Sequence, residues 1–384
     1  MRLYSPICLL LLGLVACRPA ATQDDGRAGY VTLLGDDTLA VERFEHTPDG
    51  MRADVVLRTP RTTFRQYEIE FDDDDQLVRF ESATREGGAD APVVRREVVT
   101  PTADGLRFET TADGETEQST IEGDPSMLPF IDMVHWPFEI ALMRAANTGQ
   151  DSLVQHLFTS RGAMPFVFRN LGNGRMSVQH PFRGVMDVEV DPAGRLHHLD
   201  ASQTTRKLTV NRVSDVDVEA VASRFAAQDA AGRSFGALSG RGFTEATVGD
   251  ANISVDYGQP AKRGRDIWGS LVPYGELWRT GANRATHIET DRTLVFDGLE
   301  VPPGSYTLFS VPEADGGTLI INSQTGQNGN SYNPEHDLGR VPMTAEPLSE
   351  TVELFTIDVT EWGDGDAIRL QWDEMELVAP FEVR

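Results

Sequence analysis

Phe64-Arg-Gln-Tyr-Glu-Ile-Glu-Phe71, followed by Asp72-Asp-Asp-Asp75 and then Gln76-Leu-Val-Arg-Phe80, is the stretch whose reading decides the fold. Apolar and polar residues alternate on both sides of an acidic turn, and a period of two sends successive side chains to opposite faces of an extended chain. Two such runs joined by a short polar turn predict an antiparallel hairpin with one buried face. The pattern repeats outward in both directions. Thr38-Leu-Ala-Val-Glu-Arg-Phe44, Gly184-Val-Met-Asp-Val-Glu-Val190 and Lys207-Leu-Thr-Val-Asn-Arg-Val213 alternate in the same way. Thr47-Pro-Asp-Gly50, Ala112-Asp-Gly114 and Asp191-Pro-Ala-Gly194 supply residues that tolerate turn geometry. Residues 29–214 are therefore expected to form one antiparallel β-domain with a curved sheet.

One stretch breaks the period. Asp124-Pro-Ser-Met-Leu-Pro-Phe-Ile-Asp-Met-Val-His-Trp-Pro-Phe-Glu-Ile-Ala-Leu-Met-Arg-Ala-Ala146 is apolar and long enough for a helix or two near 126–147, interrupted at Pro137 and covering one face of the sheet. A curved sheet with a helical plug resembles envelope proteins of the half-barrel type that carry lipids or lipoproteins. Val216-Asp-Val-Glu-Ala-Val-Ala-Ser-Arg-Phe-Ala-Ala-Gln-Asp-Ala230 has apolar residues at helical spacing and stops before Gly232. With the Gly- and Ser-rich segment 232–242 it makes residues 215–243 a helical connector and hinge.

Beyond the hinge, residues 252–257, 285–290, 293–296, 305–311, 318–322, 351–359, 367–372 and 375–383 read as short strands separated by Asp-Gly, Pro-Pro-Gly, Asp-Gly-Gly and Gly-Asp-Gly turns. Such punctuation predicts a β-sandwich of jelly-roll type over 244–384 and a mainly β protein overall. No helix–strand alternation points to a nucleotide-binding parallel sheet. Asn252-Ile-Ser-Val-Asp-Tyr-Gly258, Leu271-Val-Pro-Tyr-Gly-Glu-Leu-Trp-Arg-Thr-Gly-Ala-Asn283 and Asp337-Leu-Gly-Arg-Val-Pro-Met343 carry a resemblance of residues 246–384 to the bacterial domain-of-unknown-function family 2911. Ile321-Asn-Ser-Gln-Thr-Gly-Gln327, Tyr332 and Asp337 to Arg340 also fit that family's pattern, which assigns them no role and leaves them readable as a folded surface loop.

The first residues give an address. Arg2, an apolar run over 7–15 and Leu14-Val15-Ala16-Cys17 form a signal peptide over 1–16 that resembles a bacterial lipobox. The run is about 10 residues, against the roughly 20 a membrane-crossing helix needs. Cleavage before Cys17 and acylation of that cysteine are expected, each buried methylene contributing about 0.8 kcal/mol to membrane attachment. Residues 17–28 read as a flexible tether, and Arg18, standing where a retention signal would place Asp, favours the outer membrane. The partner implied is thus a membrane, reached through the lipid. Only Cys8 and Cys17 are present, so disulfides, thiolate zinc sites and a cysteine nucleophile in the mature body are excluded. With 34 Lys plus Arg against 60 Asp plus Glu the net charge is -26, a field that repels nucleic acid.

The ligand-binding residues expected from sequence lie around the second domain's long first loop: Tyr257, Arg265, Tyr274, Trp278, Arg279, Asn283 and His287. Long loops gather at the ends of a sandwich. A flat aromatic face beside directed Arg and Asn hydrogen bonds suits a sugar, a peptide or a carboxylate. The competing reading has Trp278 plug the core, Arg279 pair with an acid and Asn283 serve a turn. Eight scattered histidines give no metal-ligand spacing, and His197-His198 point to opposite faces if they lie in a strand. Asp72 to Asp75 reads as a hairpin tip before a calcium site. Gly269-Ser270-Leu is no nucleophile elbow, and Gly326-Gln-Asn-Gly329 lacks the Lys of a phosphate loop. Neither a metal nor another cofactor is expected. The leading expectation is a lipid-anchored, non-catalytic binding module for a small apolar ligand, a glycan or a peptide. An envelope hydrolase, with His287, Arg279 and a carboxylate meeting in one cleft, and a structural subunit are the alternatives.

Overall fold

The computed structural model describes residues 27–384 except Asp215 and Asp364, so the signal, Cys17 and nearly all of the tether lie outside the described residues. The protein is mainly β, and its strands fall into two sheets. The first contains β1 (Arg27–Leu34), β2 (Asp37–Thr47), β3 (Gly50–Leu57), β4 (Thr63–Phe71), β5 (Leu77–Glu86), β6 (Val93–Thr102), β7 (Gly105–Ala112), β8 (Glu115–Ile121), β9 (Leu128–Pro129), β10 (Ser152–Thr159), β11 (Gly162–Gly172), β12 (Arg175–His180), β13 (Gly184–Val190), β14 (Leu196–Asp200) and β15 (Leu208–Val213). Its order runs β8 to β1, then β15 down to β9. The chain meanders from β1 out to one edge, crosses to the other through β9 and helix α1 (Trp136–Asn147), and meanders back until β15 pairs antiparallel with β1. All neighbours are antiparallel except β9 and β10.

Curvature makes the fold. Phe108 of β7 and Phe158 of β10, far apart in strand order, meet with ring centroids 5.8 Å apart. The trough between them is filled by α1, whose Trp136 is fully buried 5.7 Å from Tyr67 and 6.5 Å from Phe80. Phe138 is packed edge-on against Phe166 and Phe168. Burying an apolar side chain of this kind contributes about 1.5–3 kcal/mol, so α1 is held chiefly by what it covers. Pro137 starts this helix rather than interrupting one: at the first turn its missing N–H is one the helix could not have used.

The hairpin at 64–80 forms with Ile69 opposite Phe80 and Phe71 opposite Leu77. Tyr67, Ile69 and Phe80 face the trough, whereas Phe64 falls out of phase and lies on the outer face. There it packs with Val56 against Val218, Ala222 and Phe225 of α2 (Val218–Ala230), which begins at the Asp217 cap bonded to the Ala220 amide at 2.9 Å. The first domain therefore has helices on both faces of its sheet. After α2, Phe235 sits between Arg58 of the first domain and Arg263 of the second, 5.2 and 3.8 Å from its ring centre, which ties the connector to both.

The second sheet contains β16 (Ser239–Val248), β17 (Ala251–Pro260), β18 (Thr286–Thr290), β19 (Leu294–Phe296), β20 (Leu299–Val301), β21 (Gly304–Glu313), β22 (Gly316–Asn322), β23 (Asp337–Trp362) and β24 (Gly365–Val383). β23 pairs with β22 through its first part and with β24 from Thr344 onward, and register breaks near Pro347 and Val352 fold this one sheet into two layers around a shared core. Three boundaries differ from those read in the sequence. The hinge ends before Ser239, because Gly240 and Gly242 belong to a strand; a Cβ at Gly242 would come within 2.3 Å of the Tyr257 ring opposite. The motif 337–343 and the run 351–359 form one strand, as do 367–372 and 375–383, with left-handed Asp373 (φ 58°) absorbing the irregularity between the last two.

Candidate functional site

Segment 275–280 occupies the length of β21 that β18 leaves uncovered. The Gly275 amide donates to the Pro312 carbonyl at 2.9 Å, and Trp278 and Ser310 exchange backbone bonds of 2.7 and 2.8 Å. This pairing turns Trp278 into the core, where its ring meets Phe355 at 5.0 Å, Trp268 at 6.0 Å and Trp372 at 6.2 Å. Thr280 is fully buried, donates through Oγ1 to Ser310 Oγ at 2.9 Å and receives the Thr286 hydroxyl on its carbonyl at 2.7 Å. Its φ of 51° places a β-branched residue in the left-handed region. Such strain costs on the order of 1–3 kcal/mol and is kept only where the surroundings impose it.

Arg279 is left on the side opposite Trp278, and loop 323–336 lies over it. Its Nη1 donates to Asn330 Oδ1 at 2.6 Å. Gly329 permits the approach, since a Cβ there would stand 2.6 Å from the Arg284 carbonyl and 2.7 Å from Arg279 Cδ. His287 Nε2 accepts the Gly326 amide at 3.0 Å. Gln327 donates to Thr307 Oγ1 at 3.1 Å, and Thr307 donates to the Gln324 carbonyl at 2.7 Å. At the far end of the loop the Tyr332 ring rests 4.9 Å from Phe309, with its hydroxyl on Asp337 at 2.6 Å.

Three polar atoms of this cluster are buried without a partner: Arg279 Nε, Gln324 Oε1 and Gln327 Oε1. Burial alone lowers the Arg279 pKa from its usual value, with no carboxylate opposing it. An unpaired buried polar group costs about 1–3 kcal/mol, and here one donor and two acceptors are left open in a single loop and the side chain beneath it.

The other residues expected from sequence do not join this cluster. Tyr257 is 2 % exposed and packs edge-on to Phe355, a core position. Arg265 donates to the carbonyls of Ala261 and Lys262 in its own turn, and burial followed by the neighbouring Arg263 lowers its pKa to about 10. Tyr274 is exposed against Gly269, and Asn283 is an exposed left-handed turn residue (φ 64°). His287 and Arg279 do meet under one loop, but the carboxylate paired in register with His287, Asp256, is held by Arg241 and Arg284, and the hydrogen bond with Arg241 lowers its pKa. Gln324 and Gln327 stood in a stretch read from sequence as a surface loop, with the family pattern as their only signal; Asn330 was given none.

In the first domain the two fully buried carboxylates, Glu42 and Glu139, are both bonded. Glu42, fully buried on β2, accepts the His135 and Trp136 amides at 2.9 and 3.0 Å and so caps α1, whose own N-terminal residue offers no side-chain cap. Glu139, fully buried on α1, accepts from the Tyr30 hydroxyl, from Arg212 at 2.9 Å and from the Leu196 amide at 2.9 Å. Burial and then Glu139 push the Tyr30 pKa well up. Asp72 bonds the amides of Asp74 and Gln76, and Asp75 pairs with Arg144 at 2.7 Å, so this acidic tip is spent on its own turn and on α1. His197 and His198 do lie in a strand, and His198 bonds Asn211. Among the described residues no group of three or more His, Cys, Asp or Glu is placed to hold a metal ion. No helix among them is long and apolar enough to cross a membrane. Residues 127–143 cover a dense core with a cavity of about 30 Å³ lined by Phe130, Phe138, Met186 and Leu208 among others, and an open groove of about 860 Å³ borders Ile140 and Met143.

Residues 239–381 match a family described as "Protein of unknown function (DUF2911)". The match begins at the first residue of β16 and ends within β24, so it spans the second domain. No curated protein matches the chain.

Proposed function

We propose that the protein is a lipid-anchored component of the bacterial cell envelope, on the outer membrane, and that its second domain is a non-catalytic binding module for a glycan or a peptide. The seat is the outer face of β21 under loop 323–336. The observation that carries this reading is the unpaired set of Arg279 Nε–H, Gln324 Oε1 and Gln327 Oε1. A ligand must offer acceptors and donors together to satisfy them, which sugar hydroxyls and peptide groups do and an apolar molecule does not. The left-handed Thr280 beside Arg279 supports it, because strain of this kind concentrates at ligand clamps. The anchor rests on Leu14-Val-Ala-Cys17.

The test is native mass spectrometry of the mature chain carrying Cys17→Ser, purified from its own host, beside the same chain with Arg279→Met. A polar small molecule carried by the first and absent from the second is the expected result. Bare protein in both, also after incubation with cell-wall sugar and peptide fragments, would refute the seat. Retained membrane association of Cys17→Ser would refute the anchor.

A further inference from the structure

Asp132 lies in the segment between β9 and α1; Arg183 donates to both of its carboxylate oxygens, at 2.6 and 3.2 Å, and Arg206 Nη2 donates to Oδ2 at 2.5 Å. One carboxylate thus serves two guanidinium groups, leaving an excess positive charge in a protein of net charge -26. The same wall holds two buried donors with nothing to bond: Arg206 Nε and His180 Nε2. His180 is 6 % exposed, and its Nδ1 accepts the Phe182 amide at 3.1 Å, which fixes the proton of the neutral ring on Nε2. The small apolar cavity borders these groups, Phe182 stands 78 % exposed beside them, and Met133, next to Asp132, is held in the left-handed region at φ 67°.

We infer that Arg183, Arg206 and His180 form a carboxylate-binding site, occupied in the resting protein by the chain's own Asp132, and that its external ligand is an apolar molecule bearing a single carboxylate. The ligand's carboxylate displaces Asp132 from the arginine pair and takes up the unused Nε–H donors. Segment 130–135 lifts, and the apolar body enters between Phe130 and Phe138. Met133 makes the closed segment strained, so that opening recovers part of the ligand's cost of entry. This site is independent of the one under loop 323–336.

Titration calorimetry of the mature Cys17→Ser chain with dodecanoate, dodecanol and dodecyltrimethylammonium tests it. Dodecanoate is expected to bind about tenfold more tightly than the other two. Asp132→Asn, which removes the internal competitor, should tighten dodecanoate binding by about tenfold, and Arg206→Gln should weaken it by at least that factor. Equal binding of all three probes, no binding of dodecanoate, or weaker binding to Asp132→Asn would overturn the inference. Should Asp132→Asn not fold, Met133→Gly decides: relieving the left-handed strain favours the closed segment and should weaken dodecanoate binding several-fold, whereas an unchanged constant would overturn the inference.

Discussion

Glu139 and Arg279 are both charged groups taken out of water, one in each domain, and they are treated in opposite ways. Glu139 is surrounded by the His46 imidazole, a guanidinium, a phenol and a backbone amide, and although burial would raise its pKa, those partners, His46 first, hold it below the usual carboxylate range. Arg279 has one side-chain amide and no anion. In the first domain charge is spent on position: Glu42 and Glu139 fix the start and the face of α1 against a sheet that apolar contact alone would let it slide over. At Arg279 of the second domain one guanidinium donor is left open. An unsatisfied buried group costs stability unless another state returns it, as binding would.

The contrast can be broken most easily at Glu139. Glu139→Gln keeps the shape but leaves Arg212 without its anion, and should cost about 3–5 kcal/mol of unfolding free energy in urea; a loss below 1 kcal/mol would mean that the network is ornamental. Glu42→Ala strips two amides of their acceptor at the start of α1 and should cost about 1–3 kcal/mol in the same experiment, with Gln at this position recovering part of it. Acid should act more gently. Burial, followed by Arg183, lowers the His180 pKa to about 4, below the value near 6.5 of an unfolded chain. The unfolded state therefore takes up the proton first, so stability is flat above pH 6.5, falls as the pH drops toward 4, and stops changing through this group below that. His180→Phe should flatten the window, as read from urea midpoints at pH 7, 5.5 and 4.5. The smallest effect is expected at Arg279. Arg279→Met exchanges an uncompensated buried charge for an apolar side chain of similar length, and stability should be unchanged or slightly higher while ligand is lost. A loss of several kcal/mol would place Arg279 with Glu139 as a structural charge and remove the contrast.

The strands were legible because the trough side is buried along most of the first sheet, so Tyr67, Ile69 and Phe80 imprint a period of two. Legibility fails where a second layer interferes. Phe64 breaks the phase because α2 covers the other face, and nothing near Phe64 in sequence announces that. Residues 239–242 read as part of the hinge because Gly242 is dictated by Tyr257 across the strand pair, a tertiary reason that composition conceals. Of the site, Arg279 and His287 were visible as polar residues in a long loop. Gln324, Gln327 and Asn330 were not, since uncharged amides in a loop look alike whether they face solvent or are folded down onto a guanidinium. Trp278 packs half-buried against the core, while Arg279 bonds the Asn330 side chain, and among the described residues no acid pairs with it.

The most direct measurement is a high-resolution crystal structure of the mature Cys17→Ser protein isolated from its host. The account expects density of a bound molecule within about 2.7–3.2 Å of Arg279 Nε and of Gln324 or Gln327 Oε1, with loop 323–336 closed over it. Side chains rotated to satisfy one another, or ordered water alone at these atoms with no molecule bound, would contradict it.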